Sequence, residues 1–270
     1  MEEGNVDLAF QGKTALVTGA GSQVGFGREI ALLLAAEGID AVAVTDIDYD
    51  GAEETAQAVR SAGSRSLALH ADITDNAAVK AMVGKVVEEN GRIDILCNVA
   101  GAILHRDGVP IDLQDPVVWE KQFKLNLIGT MNVSQAVVPI MRAVKYGVIV
   151  NIGSGSTHQY AMGVGTYAMS KYALDLFTRQ LAYVEAKAGI RVNCVAPGPA
   201  ATNFGGILSD GQPELSPDEA EKQRAALLGH FPLGRIATAR DVANATVFLA
   251  SDVTSYVTGQ VFHVSGGSVM

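Results

Sequence analysis

The run Lys13-Thr14-Ala15-Leu16-Val17-Thr18 is short and apolar, and it stops at Gly19. A glycine-rich stretch follows, Gly19-Ala20-Gly21-Ser22-Gln23-Val24-Gly25-Phe26-Gly27, and then a helical pattern from Arg28 to Glu37 ended by Gly38. A strand covered on both faces reads as a continuous apolar run, which places it in a parallel sheet. A parallel neighbour requires a crossover, and the chain supplies one repeatedly. Strands are expected at 40–46, 66–69, 93–97, 148–152, 190–195 and 260–264. Helices are expected at 51–61, 76–89, 115–143 with a break near Gly129, 166–188 and 241–250. The spacing puts Thr74 or Asp75 at the cap of the second of these, and Asp50 ahead of Asp46 as cap of the first. Asp115-Pro116 pairs an acidic cap with proline at the first helical position. The fold class is α/β: one doubly wound domain over residues 1–270, with about seven parallel strands and helices on both faces. The Pro-, Gly- and Ser-rich segment at about 199–231 is the candidate substrate loop or lid.

Charge narrows the partners. With 29 acidic and 20 basic residues the net charge is −9, the wrong sign for a surface that tracks phosphates, so a nucleic-acid role is disfavoured. The longest apolar run is Ile30 to Ala36, far short of the ~20 residues of a membrane span. Met1-Glu2-Glu3-Gly4-Asn5 has no signal-peptide pattern. Cys97 and Cys194 sit in apolar runs with no disulfide or metal spacing. The histidines at 70, 105, 158, 230 and 263 are scattered, so no metal site is expected. A soluble, cytoplasmic protein is the expectation.

Two constellations carry chemistry. The first is the turn itself, where glycines let the backbone approach a pyrophosphate whose charge is favoured at a helix N-terminus. Asp46 ends the second strand 19 residues after Gly27, close to the ~20 expected for an acidic residue on ribose hydroxyls. The bland reading of Asp46 is a helix cap. The second constellation is Ser154, Tyr167 and Lys171. Tyr167 and Lys171 lie one turn apart on one helix face. A phenol of pKa near ~10 exchanges its proton poorly at neutral pH, and a neighbouring ammonium favours the phenolate. A serine hydroxyl beside it can hold the reacting oxygen. Together these groups suit proton transfer to an alcohol oxygen while hydride moves to or from a nicotinamide. Tyr183 and Lys187 repeat the spacing in the same helix. They lie roughly 24 Å further along, away from the carboxyl edge of the sheet where ligands bind, so Tyr183 is read as surface or packing. Trp119 is read as packing or interface. His158 either lines the substrate pocket or is a loop residue without a role.

In order along the chain stand the turn 19–27, Asp72-Ile73, Asn98-Val99-Ala100-Gly101, Asn126, Ser154, Tyr167-Ala-Met-Ser-Lys171, Arg191-Val-Asn193 with Pro197-Gly198, and Thr258-Gly259-Gln260 with Gly266-Gly267. On these motifs the chain resembles the short-chain dehydrogenase/reductase family over about residues 11 to 268, with its Rossmann-type fold. The resemblance implies Tyr167 as acid/base, and Lys171 as the group that lowers its pKa and binds the nicotinamide ribose. Ser154 would orient the substrate oxygen, and Asn126 would hold a water linking Lys171 to solvent. Gly19, Ser22, Gly25 and Phe26 would lie along the cofactor, with Asp46 and Ile47 at the adenosine ribose. Asp72 and Ile73 would meet the adenine, and Asn98 and Ala100 the adenosine side. Pro197, Gly198, Ala200 and Thr202 would lie at the nicotinamide end. Two departures stand out. Five residues separate Gly19 from Gly25 where the family usually has three, so the turn should bulge. Val99 stands where a second asparagine is usual.

The leading function is an NAD-dependent oxidoreductase of a secondary alcohol or ketone, NADP being disfavoured by Asp46. The alternative is a 3-oxoacyl reductase acting on a carrier-protein or CoA thioester. Such enzymes usually prefer NADPH and meet an acidic carrier with a basic helix surface, whereas the helix here ends Glu185-Ala-Lys187-Ala188. A catalytically dead dinucleotide-binding regulator is the third reading, opposed by the intact Ser154, Tyr167 and Lys171. The resemblance further implies a homotetramer pairing helices 115–143 and 166–188, with Val133, Ala136, Val137 and Ile140 as candidate contacts or as core.

Overall fold

The computed structural model describes residues 7–104, 110–158, 165–200, 202, 228–229 and 231–270. Seven strands, β1 (Thr14–Thr18), β2 (Ala41–Asp46), β3 (Arg65–His70), β4 (Ile95–Asn98), β5 (Gly147–Ile152), β6 (Ile190–Pro197) and β7 (Val261–Val264), form one sheet in the order β3-β2-β1-β4-β5-β6-β7. Every pairing is parallel, with Leu16 of β1 opposite Ala43 of β2 on one side and Leu96 of β4 on the other. β1, β4 and β5 are buried throughout, which is why they read as unbroken apolar runs.

The helices are α1 (Phe26–Ala36), α2 (Tyr49–Ser61), α3 (Asn76–Asn90), α4 (Pro116–Phe123), α5 (Thr130–Val144), α6 (Gly165–Glu185) and α7 (Ala239–Ala250). α1, α2 and α7 cover one face, burying Ile30, Leu34, Ala56, Val59, Val242 and Val247 in one core layer. α3, α5 and α6 cover the other, where Val79, Val83, Val133, Val137, Met141 and Ala182 are buried. Val133 and Val137 therefore belong to the core and offer nothing to a partner, and Ala136 and Ile140 pack against the same layer. Pro116–Val144 is long and apolar enough by composition to cross a membrane. Its apolar face is nevertheless occupied by the sheet.

Asp75 caps α3, accepting from the amide of Ala77 at 2.8 Å, and Asp115 caps α4 through the amide of Val117 at 2.8 Å. Asp48, and not Asp50, caps α2, because the helix starts two residues earlier than its apolar pattern indicates. The break expected near Gly129 is a π-helical turn at Lys124–Gly129 joining α4 to α5. Such a turn inserts a residue into the helical ladder, and it recurs at functional sites. The two cysteines are free and buried.

Candidate active site

The strand order reverses between β1 and β4, and an open α/β sheet forms its ligand crevice at that reversal. Thr18 ties the two strand ends together, its hydroxyl accepting from the amides of Val99 at 3.0 Å and Ala100 at 3.1 Å. Gly19 follows with φ +69°, and a Cβ there would stand 2.6 Å from the Ala100 nitrogen. Only glycine takes that conformation and permits that approach. The turn that follows folds against the start of α2. The Gly21 amide donates to Asp46 Oδ2 at 2.8 Å, and the Gln23 side chain donates to the carbonyls of Gly21 at 3.0 Å and Gly51 at 3.1 Å. A Cβ on Gly51 would lie 2.3 Å from the Gly21 carbonyl oxygen, so the start of α2 depends on that glycine for its seat under the turn.

A cavity of about 790 Å³ opens from this crevice. One end is walled by Ser22, Gly25, Phe26, Asp46 and Ile47, with Asp72 and Ile73 beside them; the other end by Ser154, Tyr167, Lys171, Pro197, Gly198, Ala200 and Thr202. The structure thus brings together nearly all residues that the sequence singles out. Asn98 and Asn126 are not on the wall. Asn98 is buried and donates to Asn151 Oδ1 at 2.9 Å and Ser134 Oγ at 3.2 Å, bracing the end of β4. Asn126 is enclosed in the π-helical turn. Its Oδ1 accepts from the Ala102 amide at 3.1 Å, and its Nδ2 donates to the Ala102 carbonyl and to Ser170 Oγ, both at 3.1 Å. Ser170 in turn donates to the Tyr167 carbonyl at 2.7 Å, so the asparagine fixes the backbone that carries Tyr167.

At the far end Lys171 is buried, and its Nζ donates to the Ile152 carbonyl at 2.8 Å, 6.0 Å from the centre of the Tyr167 ring. Burial pushes this ammonium down to about 8, against smaller opposing effects from Cys194 and Asp175. Ser154 Oγ shares a 2.8 Å hydrogen bond with Ser156 Oγ and accepts from the Ser156 amide at 3.2 Å, which aims it along the wall. Tyr183 is 84% exposed near the end of α6, which separates it from this chemistry. His158 stays off the wall and packs edge-on against His263 at 4.8 Å, and Trp119 stacks on Phe123. Most of the segment 199–231, including Phe204, Ile207, Leu208, Leu215 and Leu227, lies outside the described residues. No cluster of His, Cys, Asp or Glu suited to a metal occurs among the described residues.

Sequence reasoning missed the bracing role of Thr18, the seat at Gly51, and Lys121 and Lys124 on the cavity wall. It also missed Thr45, whose hydroxyl is buried beside Asp46 without a hydrogen-bond partner and lines the cavity. A buried polar atom of that kind costs free energy unless a bound group satisfies it. The orphaned hydroxyl, the bare backbone at Gly19 and the cavity running from a fixed carboxylate to a Tyr-Lys pair all fit a nicotinamide dinucleotide.

Comparison with known proteins agrees. Residues 19–268 match the family model described as enoyl-(acyl carrier protein) reductase. The chain is 37% identical to 3-oxoacyl-[acyl-carrier-protein] reductase of Escherichia coli (strain K12) across 97% of this chain and 100% of that protein. It is 33% identical to 7alpha-hydroxysteroid dehydrogenase of the same organism, across 97% of this chain and 96% of that one. A solved structure of 7alpha-hydroxysteroid dehydrogenase complexed with NADH and 7-oxo glycochenodeoxycholic acid superposes with a TM-score of 0.85 at 33% identity, covering 97% of this chain and 96% of that one. With a family model spanning most of its length and relatives matched end to end, the chain belongs to the short-chain dehydrogenase/reductase family of oxidoreductases.

Proposed function

We propose that this protein is an NAD-dependent oxidoreductase that interconverts a secondary alcohol and its ketone. The observation that carries the reading is the continuous cavity joining Asp46 to Tyr167. The nicotinamide supplies the hydride donor or acceptor. The chain supplies everything else. Tyr167 gives a proton to the carbonyl oxygen in reduction and takes it back in oxidation. Lys171, charged below about pH 8, favours the phenolate and holds the ribose. Ser154 orients the substrate oxygen. Gly19, Ser22, Gly25 and Phe26 would flank the phosphates. Asp72 and Ile73 would face the adenine, with Ala100 contributing backbone on the adenosine side and Asn98 bracing it from behind the wall. Pro197, Gly198, Ala200 and Thr202 would border the carboxamide. Asn126 acts from behind the wall by fixing Ala102 and Ser170. Ile103, Leu104 and Leu125 make the mouth apolar and favour a hydrophobic substrate. The experiment is turnover at 340 nm with NADH and a ketone panel.

Cofactor choice follows from Asp46. Its oxygens are held by the amides of Gly21 at 2.8 Å and Asp48 at 3.1 Å, so the carboxylate stays at the cavity edge. Each oxygen keeps a lone pair for a ribose hydroxyl, while a 2′-phosphate would meet a fixed negative charge. NAD(H) is expected to exceed NADP(H) in kcat/KM by at least tenfold; equal use of both would contradict this assignment.

The second reading, reduction of a 3-oxoacyl group on a carrier, is supported by the end-to-end similarity to the Escherichia coli carrier-protein reductase. The two are separated by comparing a 3-oxoacyl thioester with free ketones. In either case a homotetramer is expected. The apolar surface available for it on α6 is Met169, Tyr172, Leu176 and Val184, each roughly half exposed, together with the more exposed Tyr183. Light scattering at micromolar concentration should give four times the 28.2 kDa chain mass. A monomer would refute the assembly.

A further inference from the structure

The buried face of α6 carries one residue that packing does not account for. Leu174, Thr178 and Ala182 lie against the sheet as expected of a covering helix, and Asp175 is buried among them with 3% exposure. An apolar side chain would fill that place at no electrostatic cost, whereas a carboxylate moved out of water needs compensation. Among the described residues Asp175 makes no direct ion pair. Its Oδ1 accepts from the Cys194 thiol of β6 at 3.4 Å.

Room for this group is made just past the end of β5. A Cβ on Gly153 would stand 2.6 Å from Cys194 Sγ and 3.0 Å from Asp175 Oδ1. The preceding residue, Ile152, is the one whose carbonyl receives Lys171 Nζ. Asp175 is also one helical turn beyond Lys171 on the same face. Both side chains are thus buried near the end of β5, one against the Ile152 carbonyl and the other beside Gly153.

Resting on the reading of Tyr167 and Lys171 given above, we propose that Asp175 is a positioning residue for proton transfer: its carboxylate keeps the buried Lys171 side chain charged. Besides burial, the groups acting on Asp175 are the Cys194 thiol on β6, Arg179 on α6, His158 after β5 and Lys171 on α6; His263 of β7 meets His158 edge-on. Arg179 is exposed and His158 lies off the cavity wall, which leaves Lys171 as the charge that Asp175 shares with the reaction. Burial lifts the Asp175 carboxyl above its ordinary value and lowers Lys171 to about 8, each by loss of solvation, and the attraction between the two opposes both shifts.

The test is the pH profile of kcat/KM for ketone reduction in wild type, Asp175→Asn and Asp175→Ser. Reduction needs Lys171 charged, so the wild-type alkaline limb is expected near pH 8. Removing the carboxylate disfavours the ammonium, and both variants should move that limb to lower pH by about one unit. NADH affinity at pH 6 should stay within twofold of wild type, since Lys171 remains charged there in all three. Coincident limbs would overturn the proposal. So would failure of both variants to fold, because the carboxylate would then serve the core. Failure of the underlying reading has a different signature, a Tyr167→Phe profile at wild-type rate, and it removes the ground from both.

Discussion

Tyr167→Phe is expected to lower kcat by about 10³–10⁴-fold while leaving NADH affinity within about twofold of wild type. The ring is 5% exposed and packs at the start of α6, and phenylalanine keeps that ring. What disappears is the hydroxyl, the cavity-lining proton donor beside Lys171. General acid–base groups contribute 10²–10⁴-fold, and in the proposed mechanism this one also holds the substrate oxygen, which places the loss at the upper end. Tyr183→Phe has the same sequence spacing to a lysine and is expected to change neither quantity, because that ring stands in solvent at the opposite end of the helix. Steady-state kinetics with NADH fluorescence titration checks both variants. A Tyr167→Phe enzyme retaining a tenth of wild-type kcat would refute the assignment.

Lys171→Ala should be nearly as damaging, with a different signature. The ammonium serves two partners in this account, so kcat should fall by about 10²–10³-fold and NADH affinity should weaken at least tenfold. The pH dependence carries the sign. A positive charge beside Tyr167 favours the phenolate, so its removal disfavours that form. The residual alcohol oxidation, which needs the phenolate as base, should therefore rise towards higher pH than in wild type. Ketone reduction, which needs the neutral phenol, should lose the alkaline limb expected near pH 8 in wild type. A variant with weakened rate and unchanged NADH affinity would confine Lys171 to the proton side.

The sheet was legible because its strands are buried on both faces and so read as unbroken apolar runs, β1 and β5 most plainly. The cavity wall was legible for a related reason: parallel strands all deliver their following residues to one edge, so Gly19, Asp46, Asp72, Ala100 and Ser154 had to converge there. Side chains that brace the site were not legible. Thr18 carries no spacing signal, since its task of joining β1 to β4 depends on a pairing between residues 81 and 82 positions apart. Gly51 resembles any small residue in a helical pattern until the turn above it is in place. The location of Asn126 depends on a π-helical turn, which hydrophobic periodicity does not distinguish from a continuing helix. Val133 and Val137 show the converse limit: apolar spacing on α5 gives a face, and only the sheet decides that the face is core.

The central claim is that one cavity holds a dinucleotide at the Asp46 end and transfers a proton at the Tyr167 end. It is tested most directly by titrating NADH into wild type, Tyr167→Phe and Asp46→Arg while following ketone-dependent turnover of the same samples at 340 nm. The account predicts that Tyr167→Phe binds NADH as wild type does and does not turn over, and that Asp46→Arg loses NADH affinity at least tenfold yet still turns over when NADH is saturating. The reverse pattern, with NADH affinity lost in Tyr167→Phe and kept in Asp46→Arg, would contradict it.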